Sequence, residues 1–262
     1  MRFLVPVVAL LAYAAALVVL ALSLPLVALV RLFTWPFDRN RVAAGMTLRF
    51  CGSLLLRCFP LWRVHIVGRW PGPGAYAVVS NHQSFLDIFL ISTIRHEMKW
   101  VAKRELFRIP WVGWAFHLVG DISVDRGDLA GTLDVVAKAR RYLDNGMSVM
   151  MFPEGTRSRD GQLLPFKAGA FKLAVDAGVP VLPLAISGTA QGMPKGSPWV
   201  RPSELTLRIL DPVPTAGVTD RELRKLRDGV RAQIARALGL DEGPPPRARR
   251  PAPASKSASA EP

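Results

Sequence analysis

The chain has 262 residues, half of them hydrophobic, and carries 34 Lys and Arg against 20 Asp and Glu, a formal charge of +14. That length can bury a full core and fits one catalytic-size domain with appendages. Excess positive charge on so apolar a chain points to an anionic membrane surface or phosphorylated ligands, and the gathering of apolar residues in one N-terminal block disfavours a nucleic-acid binder. The two cysteines, Cys51 and Cys58, make neither a disulfide framework nor a zinc spacing, which fits reduced, cytosolic-side chemistry.

From Phe3 to Val30 no residue is charged, enough for the ~20 residues that span a bilayer as a helix. A cleaved signal peptide is the alternative, but its apolar core runs to only ~7–15 residues and no small-x-small cleavage site follows this run. Arg31, Arg39, Arg41 and Arg49 come next with only Asp38 against them, so the positive-inside bias puts the remainder in the cytoplasm. Val42 to Trp62 is a second apolar stretch in which Arg49 and Arg57 share a helix face, as expected of an interfacial helix lying on anionic lipid.

Beyond Trp62 the pattern is that of alternating strands and helices. Arg63–Val67 alternates with period two, and Pro71-Gly72-Pro73-Gly74 turns into a buried strand over Ala75–Ser80. Phe85–Ile91 opens a helix; Lys99–Ala102 and Ile122–Val124 are short strands; Leu129–Leu143 has helical spacing and stops at Asn145-Gly146. Ser148–Phe152 is a buried strand, Ala168–Ala177 a helix closed by Gly178, and Pro180–Ile186 and Leu205–Leu210 are strands. Thr219-Asp220-Arg221-Glu222 is a capping box that opens a basic final helix to about Leu238. The expected fold is α/β, a mixed, largely parallel sheet flanked by helices and preceded by N-terminal membrane helices. The expected domains are an anchor over 1–61, a catalytic domain over 62–240 and a disordered Pro/Ala/Arg-rich tail over 241–262.

Chemistry gathers just past two of these strands. His82 follows Ser80-Asn81, and Asp87 lies one helical turn further on. A carboxylate that holds one ring nitrogen leaves the other free to take a proton from a hydroxyl; the same pair also fits a structural role. After Ser148–Phe152 comes Pro153-Glu154-Gly155-Thr156-Arg157-Ser158, where Gly155 permits close backbone approach, Thr156 and Ser158 offer hydroxyls, and Arg157 offers a planar fork for phosphate. Two polar blocks at strand ends can converge on one cleft, or each can be an ordinary turn. Lys103-Arg104 follows a third strand, and Val179-Pro180-Val181-Leu182-Pro183 begins a fourth. Ser80 and Ser84 sit in no nucleophile elbow. His96-Glu97-Met98-Lys99-Trp100 lacks the second histidine of a zinc-protease helix, and no metal site is expected. His65 and His117 lie in apolar surroundings and read as packing residues. Trp111, Trp114 and Phe116 form an aromatic cluster, either core or dipping into lipid.

In order and spacing these blocks resemble the glycerophospholipid acyltransferase family, in particular the 1-acylglycerol-3-phosphate acyltransferases. Asn81, His82 and Asp87 match its Asn-His-x-x-x-x-Asp motif; Lys103 to Gly113 is similar to its Lys-rich segment before a Pro-x-x-Gly turn. Phe152 to Ser158 matches Phe-Pro-Glu-Gly-Thr-Arg-Ser at every position, and Val179, Pro180 and Pro183 meet Val-Pro-x-x-Pro. The resemblance implies transfer of an acyl group from a thioester, on coenzyme A or acyl carrier protein, to the sn-2 hydroxyl of 1-acylglycerol 3-phosphate. It implies His82 as general base, Asp87 as its orienter, and Lys103, Glu154, Gly155, Thr156 and Arg157 around the acceptor phosphate, with Glu154 orienting Arg157 or a substrate hydroxyl. No cofactor is expected beyond the acyl thioester cosubstrate, and oxyanion donors are expected among backbone N–H groups near His82. The expected partners are the phospholipid bilayer and a lysophospholipid, with no nucleic acid; the expected location is a bacterial inner membrane, catalytic domain toward the cytoplasm. Lyso-ornithine lipid, another lysophospholipid or glycerol 3-phosphate is the alternative acceptor, and a non-catalytic membrane lipid-binding protein the alternative class.

Overall fold

The computed structural model describes residues 4–125, 129–158, 161–196 and 199–240; the tail over 241–262 lies outside the described residues. Two helices lead, α1 (Leu4–Thr34) and α2 (Val42–Arg57). Next come β1 (Trp62–Val67), β2 (Ala77–Ser80), α3 (Leu86–Ile91), β3 (Met98–Lys103), α4 (Arg104–Phe107), α5 (Val112–Val119) and β4 (Ile122–Val124). The chain continues through α6 (Leu129–Asp144), β5 (Ser148–Met151), α7 (Gly169–Ala177), β6 (Val181–Ser187), α8 (Thr189–Gly192), β7 (Ser203–Ile209) and α9 (Leu223–Ala237). The strands form one seven-stranded sheet in the order β1-β7-β6-β2-β5-β3-β4, parallel except where β6 meets β7. The expected α/β class is therefore what the chain adopts.

The central strands are apolar on both faces, as a sheet covered by helices on both sides requires. One face packs Val78, Met150, Leu182 and Leu184 against Leu86, Leu90 and Ile91 of α3. The other packs Ala77, Val79, Val181 and Ala185 against Phe171 of α7 and Val230 and Ile234 of α9. Because β6, β2, β5 and β3 run parallel and adjacent, the loops that leave their C-terminal ends share one edge. The final helix begins at Leu223, later than the capping box implied, but Glu222 does reach back to the Thr219 N–H at 3.1 Å.

The sequence pattern missed α5. Pro110 and Gly113 argue against a helix there, yet Gly113 is what allows it: any side chain would collide with the Phe107 carbonyl. Trp111 and Trp114 stay partly exposed beside α1, and the Trp111 indole donates to the Leu20 carbonyl at 2.8 Å. His65 and His117 are both exposed, although the His117 ring packs edge-on against Phe107 with centroids 5.1 Å apart. His65 sits on edge strand β1, where alternate side chains meet solvent, with Glu204 3.9 Å away.

Among the described residues α1 is the one helix long and apolar enough to cross a membrane, over Leu10–Thr34. Ala12 and Val27 are buried on its inner side, where Tyr13 meets Phe59 edge-on at 5.2 Å. Leu10, Leu17, Leu22, Leu29, Leu32 and Phe33 are exposed, an apolar surface larger than a soluble chain leaves to water.

The expectation for α2 fails at Arg49. Its guanidinium does not face lipid but is buried and paired with Asp121 at 2.5 Å, with Glu97 at 3.8 Å. Lys99, fully buried, joins this group, donating to Glu97 (2.9 Å), to the Val119 carbonyl (2.9 Å) and to the Arg41 carbonyl (3.2 Å). Two cations and two carboxylates, with Lys99 also donating to two backbone carbonyls, thus tie α2 to β3 and to the start of β4. A lone arginine with a carboxylate in reach is better neutralised inside than left at an interface. Arg57, with no such partner, stays exposed. Truncating Arg49 to Ala strands Asp121 as a buried charge, Glu97 keeping Lys99, and should cost about 3–5 kcal/mol, read as a lowered denaturation midpoint of the detergent-solubilised chain.

Candidate active site

His82 follows directly from β2 and its neighbour Asn81. Asn81 fixes the exit of the strand: its amide nitrogen donates to the Ile186 carbonyl and its oxygen accepts the Ile186 N–H, both at 2.8 Å. A side chain thereby continues the ladder to β6 where the backbone turns away. Three residues on, the Ser84 hydroxyl donates to the Met193 carbonyl at 2.7 Å, holding the turn from its far side.

Asp87, wholly buried in the first turn of α3, organises what lies between. Its Oδ2 accepts the Gln83 N–H (2.7 Å) and the Ser84 N–H (2.9 Å), and lies 2.7 Å from His82 Nδ1. An oxygen that takes this many N–H groups serves as acceptor only, so Nδ1 carries the proton and Nε2 keeps its lone pair. The imidazole is 16 % exposed, open to a reactant on one side. Two backbone N–H groups at the start of the helix and the imidazole thus converge on one carboxylate oxygen, which defines the ring's tautomer.

The block after β5 holds His82 from the opposite side. Phe152 stacks on the imidazole with centroids 3.9 Å apart and planes 16° apart. The Ser158 N–H donates to the His82 carbonyl at 2.8 Å, and the His82 N–H donates to Glu154 Oε1 at 3.0 Å. Glu154 therefore points inward at the His82 backbone, not at a phosphate or at Arg157. It is 5 % exposed, and burial pushes its carboxyl up to about 8, against the lowering effect of N–H bonds from His82 and Leu164; Asp87 adds to the rise and Arg231 opposes it. Its other oxygen, Oε2, is buried with no partner among the described residues.

The remaining residues of this block face outward. Gly155 has φ 74°, a conformation that favours glycine, and a Cβ there would press on the Lys167 ammonium at 3.0 Å. Thr156 is exposed and Arg157 half-buried. Lys195 donates to the Arg157 carbonyl at 2.9 Å. Lys167 and Lys195 are cations at this loop that the motif spacing gave no reason to single out. Lys103 ends β3, exposed and one strand from β5, where it caps α4. Val179 and Pro180 lie apart, at the opposite end of the sheet: the Pro180 carbonyl takes the Ala77 N–H where β2 begins. They start the strand that supplies Ile186 to Asn81. The backbone N–H groups of His82, Gln83 and Ser84 are all engaged by carboxylates, so they are not the oxyanion donors expected there. Among the described residues no group of three His, Cys, Asp or Glu is placed to hold a metal ion.

A buried carboxylate, an oriented imidazole and a cationic loop thus meet at the C-terminal edge of a parallel sheet, where ligand sites of such sheets lie. Residues 63–187 match the family described as Acyltransferase. The chain is 36 % identical over 185 residues to a chloroplastic 1-acyl-sn-glycerol-3-phosphate acyltransferase of Brassica napus, covering 70 % of this chain and 53 % of that one. It is 38 % identical over 173 residues to the alpha form of that enzyme from Homo sapiens, covering 64 % and 61 %. The chain thus spans about half to three-fifths of the length of these relatives. The crystal structure of the 1-acyl-sn-glycerophosphate (LPA) acyltransferase PlsC from Thermotoga maritima is similar, with TM-score 0.65, 30 % identity and coverage of 88 % of this chain and 99 % of that one. The chain belongs to this acyltransferase family.

The inward Glu154 has a measurable consequence. A carboxyl raised from its ordinary value near 4.5 to about 8 favours the folded state most at low pH, and that contribution fades as pH climbs from about 4.5 through 8. Glu154→Gln keeps the acceptor oxygen and should remove this slope from the melting temperature between pH 5 and 9 while retaining activity. Glu154→Ala should lose roughly a hundredfold in turnover through a displaced His82.

Proposed function

We propose that the chain transfers a fatty acyl group from an acyl thioester to the sn-2 hydroxyl of 1-acylglycerol 3-phosphate, giving phosphatidate. The observation that carries this reading is the 2.7 Å contact between His82 Nδ1 and Asp87, which leaves Nε2 as a base. Nε2 takes the acceptor's hydroxyl proton as that oxygen attacks the thioester carbonyl. The C–S bond breaks, the thiolate leaves, and the imidazolium returns its proton to it. Asp87 fixes the ring and stabilises its cationic form. A thioester is already activated, so the reading requires no metal or redox cofactor, with acyl-CoA or acyl carrier protein as donor. Neither serine of the turn is needed as nucleophile, and the Ser84 hydroxyl is committed to Met193.

Support for a phosphate-bearing acceptor comes from Arg157, which has no carboxylate partner among the described residues, together with Lys167 and Lys195 around the same loop; Lys103 stands exposed at the end of β3. The named relatives act on 1-acyl-sn-glycerol 3-phosphate. The exposed apolar face of α1 supports a membrane location, and the arginines that follow it favour the cytoplasmic face of a bacterial inner membrane.

The reading is tested with labelled acyl-CoA and acyl carrier protein against a panel of lysophosphatidate, other lysophospholipids, lyso-ornithine lipid and glycerol 3-phosphate. His82→Ala should lower turnover of lysophosphatidate by roughly 10²–10⁴, and Asp87→Asn nearly as much. Arg157→Ala should raise KM for phosphate-bearing acceptors more than it lowers kcat. Equal turnover by wild type and His82→Ala would remove the base assignment.

A further inference from the structure

A cavity of about 640 Å³, lined by none of His82, Asp87, Lys103 or residues 152–158, opens between the α1–α2 turn, α5, β4 and α6. Arg39, Arg41, His117, Lys138, Arg141 and Tyr142 line it. Asp121 is the one carboxylate in its lining, and it and the neighbouring carboxylates are already committed. Asp38 caps α2, accepting the Val42 and Ala43 N–H groups at 2.8 Å each. Asp121, on the floor, is held by Arg49 and by the Trp100 N–H. Asp134 pairs with Lys138 and Asp144 with Arg140. Arg39 and Arg141 have no carboxylate partner among the described residues, and Arg41 spends one nitrogen on the His117 carbonyl at 2.6 Å. The lining is therefore an uncompensated cluster of arginines around a concave space.

Two backbone features maintain that shape. Arg41 has φ 54°, a left-handed conformation that costs a non-glycine residue energy and persists only where its surroundings enforce it. The enforcing bonds are those of its carbonyl with buried Lys99 and of its guanidinium with His117. Opposite, Gly120 at φ 78° leaves the room that the Tyr142 hydroxyl and the Arg41 stem occupy; a Cβ would meet both. The cavity thus offers several N–H donors and a phenol to one anion.

Its position selects the ligand. The exposed apolar face of α1 continues past the helix through Trp35 and Phe37, and Arg39 follows two residues later. If that face lies in the bilayer, aromatic residues sit at headgroup level and the arginines meet the phosphates there. We infer that this cavity binds the phosphate of an anionic phospholipid headgroup, at a second site distinct from the one at Arg157. The inference rests on the membrane-facing reading of α1 and is independent of the chemistry at His82.

The full chain in neutral detergent micelles, titrated with dioctanoyl phosphatidylglycerol or dioctanoyl phosphatidylcholine, tests it by native mass spectrometry of bound lipid. Wild type should retain one more phosphatidylglycerol than Arg39→Gln/Arg141→Gln, whose affinity for that lipid falls about thirtyfold, with no difference for phosphatidylcholine. Both arginines are exposed, so the fold is retained, as unchanged acyl transfer verifies. Arg224→Gln/Lys225→Gln, on exposed positions of α9, should behave as wild type. Equal losses in the two double variants would mean diffuse attraction to a basic protein and overturn the site, as would no loss in either. Coenzyme A binding that is abolished by Arg39→Gln/Arg141→Gln, with lipid binding unchanged, would assign the phosphate to a soluble ligand and overturn the lipid. Failure of α1 to insert is scored separately, by flotation of wild type with phosphatidylcholine vesicles.

Discussion

One oxygen, Asp87 Oδ2, takes two backbone N–H groups and the imidazole of His82, and the site is arranged around it. The carboxylate is fully buried, a placement that is costly unless donors replace water. Those donors come from the turn that carries the base. Stabilising the carboxylate and orienting the imidazole are therefore the same set of bonds. A turn relaxed by a few tenths of an ångström would weaken all of them together, and so the turn is fastened again from outside, by Asn81 to β6 and by Ser84 to Met193.

The parallel pairing of β2 with β5 completes this arrangement. Adjacent parallel strands release their loops side by side, so the Glu154 block arrives against His82 without a long excursion. It meets the histidine at its N–H, its carbonyl and its ring face. Within seven residues the block divides its work. Phe152, Glu154 and Ser158 turn inward to hold His82, whereas Gly155, Thr156 and Arg157 form the outward surface. Alternation along one short loop thus serves two ends that a motif written as a string does not distinguish.

That difference marks what the sequence made legible. Most strands and helices were readable because apolar periodicity and Gly or Pro punctuation are local. The His82–Asp87 pair was readable for the same reason, since one helical turn separates its members. The clamp by Glu154 was not: its partner is a backbone N–H 72 residues away, and a glutamate beside an arginine gives no sign of facing the other way. Arg49 misled for a related cause. Its spacing from Arg57 fits an interfacial stripe, but Asp121 lies 72 positions later in sequence and 2.5 Å away in space. Val179 and Pro180 belong to a recognisable pattern yet stand at the far end of β6. Their residue types are those of a buried strand entrance, and a pattern that marks such an entrance is indistinguishable in sequence from one that marks a site.

The buried charges around Arg49 also bear on how the anchor and the site communicate. Glu97 and Lys99 flank the start of β3, the strand that ends at Lys103, while Arg49 belongs to α2 and Lys99 also holds the carbonyl of Arg41, which caps the start of α2 after the turn from α1. A short strand is stiff along its length, so a displacement of the helix pair cannot be absorbed between the ion network and Lys103. A flexible tether would let the C-terminal edge of the sheet move independently of α1; an ion network whose Lys99 is also bonded to two backbone carbonyls does not. The distance and tilt of the His82 turn relative to the apolar face of α1 are thereby fixed by the fold.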